Sequence, residues 1–134
     1  MVIEISLKGL ADVRQVGRNY FGTCSSANLG KALSRMMTDF DCHFINSISG
    51  VDAGSSIDVV YHVTVKDSVV SLTVSLPKSK PEIESVSALF PGAALFEREL
   101  MEMLGVKVLN HPTGGRLFLP DSFPDVHPLR KDGK

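Results

Sequence analysis

The sequence predicts an α+β fold: an antiparallel β-sheet flanked by helices, followed by an extended, irregular C-terminal segment. Three observations carry that expectation. Two adjacent runs, Asp58 to Val65 and Val69 to Leu76, alternate apolar and polar residues with the period of two that half-buried strands require. Two other stretches, Leu29 to Phe40 and Phe96 to Leu104, space their apolar residues three and four apart, as helices with one buried face do. Beyond Leu109 neither period persists.

Taken in order, Val2 to Leu7 alternates Ile3, Ile5 and Leu7 with Glu4 and Ser6 and reads as an opening strand. Tyr20 to Thr23 gives a weaker strand signal. Ser25 or Ser26 can cap the helix that follows, in which Leu29, Leu33, Met36 and Phe40 share a face, with Met37 beside them. Gly30 within it marks a small loss of helix stability or a place of close packing. Cys42 to Ile48 is apolar and strand-like, ending in a loop from Ser49 to Gly54. In the next two strands Val59, Tyr61, Val63 and Val65 line one side, as do Val70, Leu72, Val74 and Leu76. Lys66, Asp67 and Ser68 supply the short polar break of a hairpin between them. Pro77 and Pro81 close the sheet region. Residues 82 to 90 read as a short helix, and Pro91 as the first turn of a second. Phe96, Leu100, Met103 and Leu104 form the apolar face of that second helix. Glu97, Arg98, Glu99 and Glu102 take the remainder, with Leu95 an apolar exception, and Gly105 ends the helix.

The last stretch is different in kind. Four of the seven prolines, Pro112, Pro120, Pro124 and Pro128, fall in it beside Gly114 and Gly115. Irregular segments of this length are usually functional or disordered. Leu117, Phe118, Leu119, Phe123 and Leu129 make this one too apolar for a solvated tail. The expected organisation is an α+β domain over residues 1–108 and an extended partner-docking segment over residues 109–134.

Composition narrows the function classes. A chain of 134 residues, 43% hydrophobic and 22% charged, suits one globular core. A net charge of −1 offers no basic field for a nucleic-acid backbone or an anionic membrane surface. Cys24 and Cys42 form no CxxC pair and cannot complete a four-thiolate metal or iron–sulfur site, so they read as buried, reduced thiols. The first residues lack the basic start and apolar run of a signal peptide, and no apolar run nears the ~20 residues of a membrane helix. A cytoplasmic protein is expected, reaching a membrane only through other subunits.

Few residue sets invite chemistry. Paired carboxylates can divide acid and base roles when their surroundings separate their pKa values. Glu97 and Glu99, two apart on a helix, diverge, whereas Arg98 and Glu102, four apart, can pair across one turn. Structural or interface ion pairing is the stronger reading. His111, Asp121 and His127 could be drawn as a metal triad, giving a small metal-dependent hydrolase as an alternative, but their spacing is loose. His111 and His127 each precede proline, which favours extended backbone and suits docking on a partner. His43 and His62 lie on expected strands, and no Gly-x-Ser-x-Gly, GxGxxG or Walker pattern occurs. No catalytic residue, bound cofactor or metal ligand is expected. A free-standing binding module is the remaining alternative.

The stretch Glu97-Arg98-Glu99-Leu100-Met101-Glu102-Met103-Leu104-Gly105-Val106 resembles the signature of the 30-kDa (C) subunit family of respiratory NADH dehydrogenases. The resemblance continues through His111-Pro112, Arg116-Leu117, Leu119-Pro120-Asp121 and the closing His127-Pro128-Leu129-Arg130-Lys131-Asp132. Upstream, Ile48-Ser49-Gly50-Val51-Asp52, Val59-Val60-Tyr61 and Ser85-Val86 also fit. Glu102 stands where the family usually has Asp, and Val126 where it usually has Gly. The chain is similar, too, to the related subunit of energy-converting nickel–iron hydrogenases and formate hydrogenlyase. The resemblance implies a non-catalytic subunit of a membrane-associated redox complex, bound in its peripheral arm to the large hydrogenase-like (49-kDa type) subunit and the small iron–sulfur subunit. It implies no cofactor in this chain, with iron–sulfur clusters and a flavin or nickel–iron centre in the partners. By the same resemblance Glu97, Arg98, Glu99 and Glu102 form ion pairs within the subunit or across its interface. His111, Arg116, Phe118, His127, Leu129 and Arg130 then belong to the docking segment.

Overall fold

In the computed structural model, residues 7–42 and 44–111 are described. Chain order is β1 (Ala11–Val16), β2 (Asn19–Cys24), α1 (Ser26–Phe40), β3 (Ile45–Asp52), β4 (Ser56–Val65), β5 (Ser68–Pro77), β6 (Glu82–Glu84), α2 (Ala93–Leu104) and β7 (Lys107–Leu109). The α+β class is as expected. Five strands form one sheet in the order β1-β2-β5-β4-β3, and β6 and β7 form a small second pair.

The central hairpin follows its alternation closely. Val59 pairs with Val74 and Tyr61 with Leu72, so the two apolar rows stand side by side on one face, all of them buried. The turn is Lys66-Asp67, since Val65 already pairs with Ser68. Lys66 takes φ 55, a left-handed backbone that a tight hairpin turn requires. Both helices cover this same face. Leu29, Leu33 and Met36 of α1 join Val70, Leu72 and Val74 in one buried cluster. α2 lies on β3, where a Cβ on Gly50 would come within 2.7 Å of Leu100 Cδ2. The opposite face carries Phe21, Thr64, Ser75 and Val51, all exposed, and no described helix covers it.

The structure departs from the sequence reading at several elements. The sheet is mixed rather than antiparallel: β2 runs parallel to β5, and β6 parallel to β7. The long path through α1, β3 and β4 between β2 and β5 permits the parallel pairing, which a two-residue hairpin turn would forbid. Ser49 to Asp52 is strand rather than loop, with Ser49 opposite Val60 and Asp52 opposite Ile57. β1 gave no signal because its burial is slight and alternation is weak on an edge strand that is largely exposed. Residues 82 to 90 are not a helix. Glu82–Glu84 pairs with Lys107–Leu109, and only a single turn follows, with Phe90 N–H donating to Val86 O at 2.9 Å. That strand exists through a partner more than twenty residues downstream, which no local pattern announces. Of the expected opening strand only Leu7 lies within the described residues, in a turn and fully buried.

Candidate functional site

The motif carboxylates on α2 separate as soon as the helix is placed. Ala93, Glu97, Leu100 and Leu104 follow one another at helical spacing and are all buried, so Glu97 interrupts an apolar stripe. Phe96 and Met103, expected on the buried face, are only half-buried. Glu102 is also buried, on another side of the helix, whereas Glu99 is exposed and Arg98 half-buried. α2 is thus enclosed on two sides rather than one.

Glu97 is fully buried and keeps two strong partners. Ser85 Oγ–H donates to Oε1 at 2.7 Å, and the Val86 amide donates to Oε2 at 2.8 Å. These are hydrogen bonds to a turn, not an ion pair along the helix. Burial raises the carboxyl's pKa above the ordinary carboxylate range, partly offset by the Val86 amide, the Ser85 hydroxyl and the charge of His111. Tyr61, beneath α2, has its hydroxyl pKa raised by burial and then by the nearness of Glu97 and Cys24. That hydroxyl has no hydrogen-bond partner among the described residues.

The same turn reaches the end of the described chain. Ser85 N–H donates to Leu109 O at 2.9 Å, prolonging the β6–β7 pair. Asn110, at φ 60, turns the backbone left-handed and donates its side-chain amide to Glu84. His111 then donates Nε2–H to the Ala94 carbonyl at 2.9 Å, back on the first turn of α2. The structure therefore brings His111 to the same stretch of helix that carries Glu97. Arg116, Phe118, His127, Leu129 and Arg130 lie outside the described residues, as do Asp121 and His43. Among the described residues no group of three His, Cys, Asp or Glu side chains is placed to hold a metal ion.

Three further features stand out, of which His62 lies on a strand as the sequence predicts. Asp52 is buried at the end of β3, where Lys78 Nζ meets Oδ2 at 2.8 Å and the Gly54 amide donates to Oδ1 at 2.9 Å. The Asp-x-Gly spacing is a turn signal that could have found it. On the open sheet face His62 bridges Ser71 at 2.9 Å and Ser49 at 3.4 Å, and burial lowers its pKa. A groove of 270 Å³ between β3 and α2 is floored by Ile48, Gly50 and Leu100 and rimmed by Ser47, Phe96 and Glu99. The thiols are quiet: burial pushes Cys24 up to about 11 and raises Cys42 as well.

Known proteins share both the sequence pattern and this architecture. A family model described as respiratory-chain NADH dehydrogenase, 30 Kd subunit, matches residues 23–134. The C subunit of the F(420)H(2) dehydrogenase of Methanosarcina mazei is 41% identical over 90 residues, which cover 64% of this chain and 57% of that protein. The C subunit of the NADH-quinone oxidoreductase of Moorella thermoacetica is 36% identical over 94 residues, 67% of this chain and 63% of that one. The chain thus spans little more than half the length of these relatives. Among solved structures, a chain of the membrane-bound sulfane sulfur reductase, an archaeal respiratory membrane complex, superposes with a TM-score of 0.87 at 18% identity, covering 99% of this chain and 84% of that one. A trypsin-resistant fragment of Nqo5 gives 0.69 at 20% identity, covering 83% of this chain and 95% of the fragment. At those identities the two structures speak to the fold.

Proposed function

The chain belongs to the respiratory-chain NADH dehydrogenase 30-kDa subunit family, and from that premise we propose that it is a hydrophilic, non-catalytic member of a membrane-associated redox complex. The complex is of the NADH:quinone oxidoreductase or energy-converting hydrogenase kind. In its peripheral arm the chain binds the large hydrogenase-related subunit of the 49-kDa type and neighbours the small iron–sulfur subunit. It supports electron transfer coupled to ion translocation by holding these partners in place. Iron–sulfur clusters, with a flavin or a nickel–iron centre, reside in the partners, which also hold the chain at the cytoplasmic side of the membrane.

The family match over residues 23–134 carries this reading, because it runs through the domain and the C-terminal segment alike. The geometry agrees with an assembly role. Glu97, the motif's first carboxylate, is spent on Ser85 and Val86 inside the fold. The longest described helix has 15 residues, and none is long and apolar enough to cross a membrane.

The test is recovery of the tagged chain from gently solubilised native membranes, with the co-purifying proteins identified. A large hydrogenase-related subunit together with iron–sulfur subunits is the expected result. Recovery of the chain alone, monomeric under mild conditions, would overturn the functional reading and leave the fold untouched.

A further inference from the structure

We infer that Glu97, Ser85 and His111 form a clamp that fixes where, and in which direction, the C-terminal docking segment leaves the domain. The inference rests on the proposed function, in which the docking segment over residues 109–134 engages the large subunit.

The clamp is a closed circuit of hydrogen bonds. α2 holds the turn after β6 through Glu97, which accepts from Ser85 Oγ at 2.7 Å and from the Val86 amide at 2.8 Å. That turn holds β7 through Ser85 N–H to Leu109 O at 2.9 Å. Asn110 redirects the chain, its φ of 60 placing the next residue over α2, and its side chain secures the bend on Glu84. His111 returns the chain to α2 at the Ala94 carbonyl, 2.9 Å away and one helical turn before Glu97. Pro112 follows, and a residue before proline is held to extended backbone. Position and direction at residue 111 are thus set by contacts on two separate elements.

β7 alone is a poor anchor. It is a three-residue strand, paired on β6 of equal length. Strands so short hold little by themselves. The buried carboxylate makes the arrangement firm: Ser85 cannot drift from α2 without leaving Glu97 buried and short of a donor, a costly state, so the turn that holds β7 stays fixed to the helix. Glu97 is therefore a positioning residue acting through Ser85, and His111 is the last described residue by which the docking segment touches the domain. A segment released from a fixed point loses less conformational freedom on binding than one that starts loose. Freeing even one backbone residue should weaken partner affinity by roughly tenfold.

The experiment measures affinity of the full-length chain for the large hydrogenase-related subunit of its complex, alongside the melting temperature. His111→Ala is expected to weaken binding about tenfold while lowering the melting temperature by no more than about 5 °C, since one half-buried hydrogen bond is lost. His111→Gln, whose side-chain amide can donate to the same carbonyl, should recover most of the affinity. Ser85→Ala, which leaves the Val86 amide on Glu97, gives an independent intermediate loss. Wild-type affinity in His111→Ala, or equal losses in the alanine and glutamine variants, would overturn the clamp alone. Failure of the wild-type chain to bind the large subunit would overturn the functional reading, and the clamp's role with it.

Discussion

A buried carboxylate is tolerable only where hydrogen bonds replace its lost water, and Glu97 receives two short ones from a turn that is itself fixed to β7. Burial still prevails, and the native pKa stands above that of the unfolded chain, near ~4.3. Between those two values the native state binds more protons than the unfolded one. Glu97's contribution is therefore present in full below about pH 4.3 and lost as pH rises through the raised native value. Glu97→Gln cannot titrate. The melting temperature of the variant minus that of the wild type should climb as pH increases across this window, then level off. Thermal melts of both proteins from about pH 4.5 to 8 would show it, and a flat difference would mean that Glu97 does not carry the linkage. Ser85 can also turn its hydroxyl toward Ser87, 2.9 Å away, so a protonated Glu97 could donate where the carboxylate accepts. Sequence spacing could have placed Glu97 among core positions, since Ala93, Leu100 and Leu104 flank it at helical intervals. Its charge argued the other way, and only the Ser85 and Val86 donors resolve the conflict.

Two glycines separate the elements that touch closely from those that do not. Gly50 lies on β3 beneath α2, and a Cβ there would meet Leu100 Cδ2 at 2.7 Å and Leu104 Cδ1 closer still. Gly50→Ala should cost about 1–3 kcal/mol by forcing the helix off the strand. Gly30 stands on the exposed side of α1, with nothing near an added Cβ. Gly30→Ala should add about 0.5–1 kcal/mol, by helix propensity and by restricting the unfolded chain. Urea titrations of the two variants test both signs at once; destabilisation by Gly30→Ala would show that its surroundings are tighter than the structure places them. Strong periodic elements were legible in the sequence: the β4–β5 hairpin and α1 lie where their spacing puts them. The edge strand β1 and the short pair β6–β7 were not, because an exposed edge shows weak alternation and a three-residue strand owes its existence to a distant partner.

Across the described molecule, both helices stand on one face of the five-stranded sheet, and the other face carries Phe21, Thr64 and Val51 to solvent. A sheet covered by helices on one side makes a two-layer core and can leave its other face to solvent. On the proposed function, partner binding therefore rests on the C-terminal segment rather than on opening the core. Replacing both Leu129 and Arg130 with Ala should release the large subunit in a co-purification assay while the melting temperature stays within about 2 °C of wild type. Retained assembly would remove those two residues from the interface; a large drop in melting temperature would show that they belong to the domain instead.

Residue order was enough to specify the α+β class, the central hairpin, the two principal helices and the family motifs, because each is written in short-range periodicity or in ordered spacing. The parallel partnership of β2 with β5, the β6–β7 pair, the buried state of Glu97, and the return of His111 to α2 emerged only from the folded chain. One cause is common to all four. Each is settled by a partner far along the chain, and local hydrophobic pattern carries no information about which distant backbone or donor will arrive to satisfy a buried group.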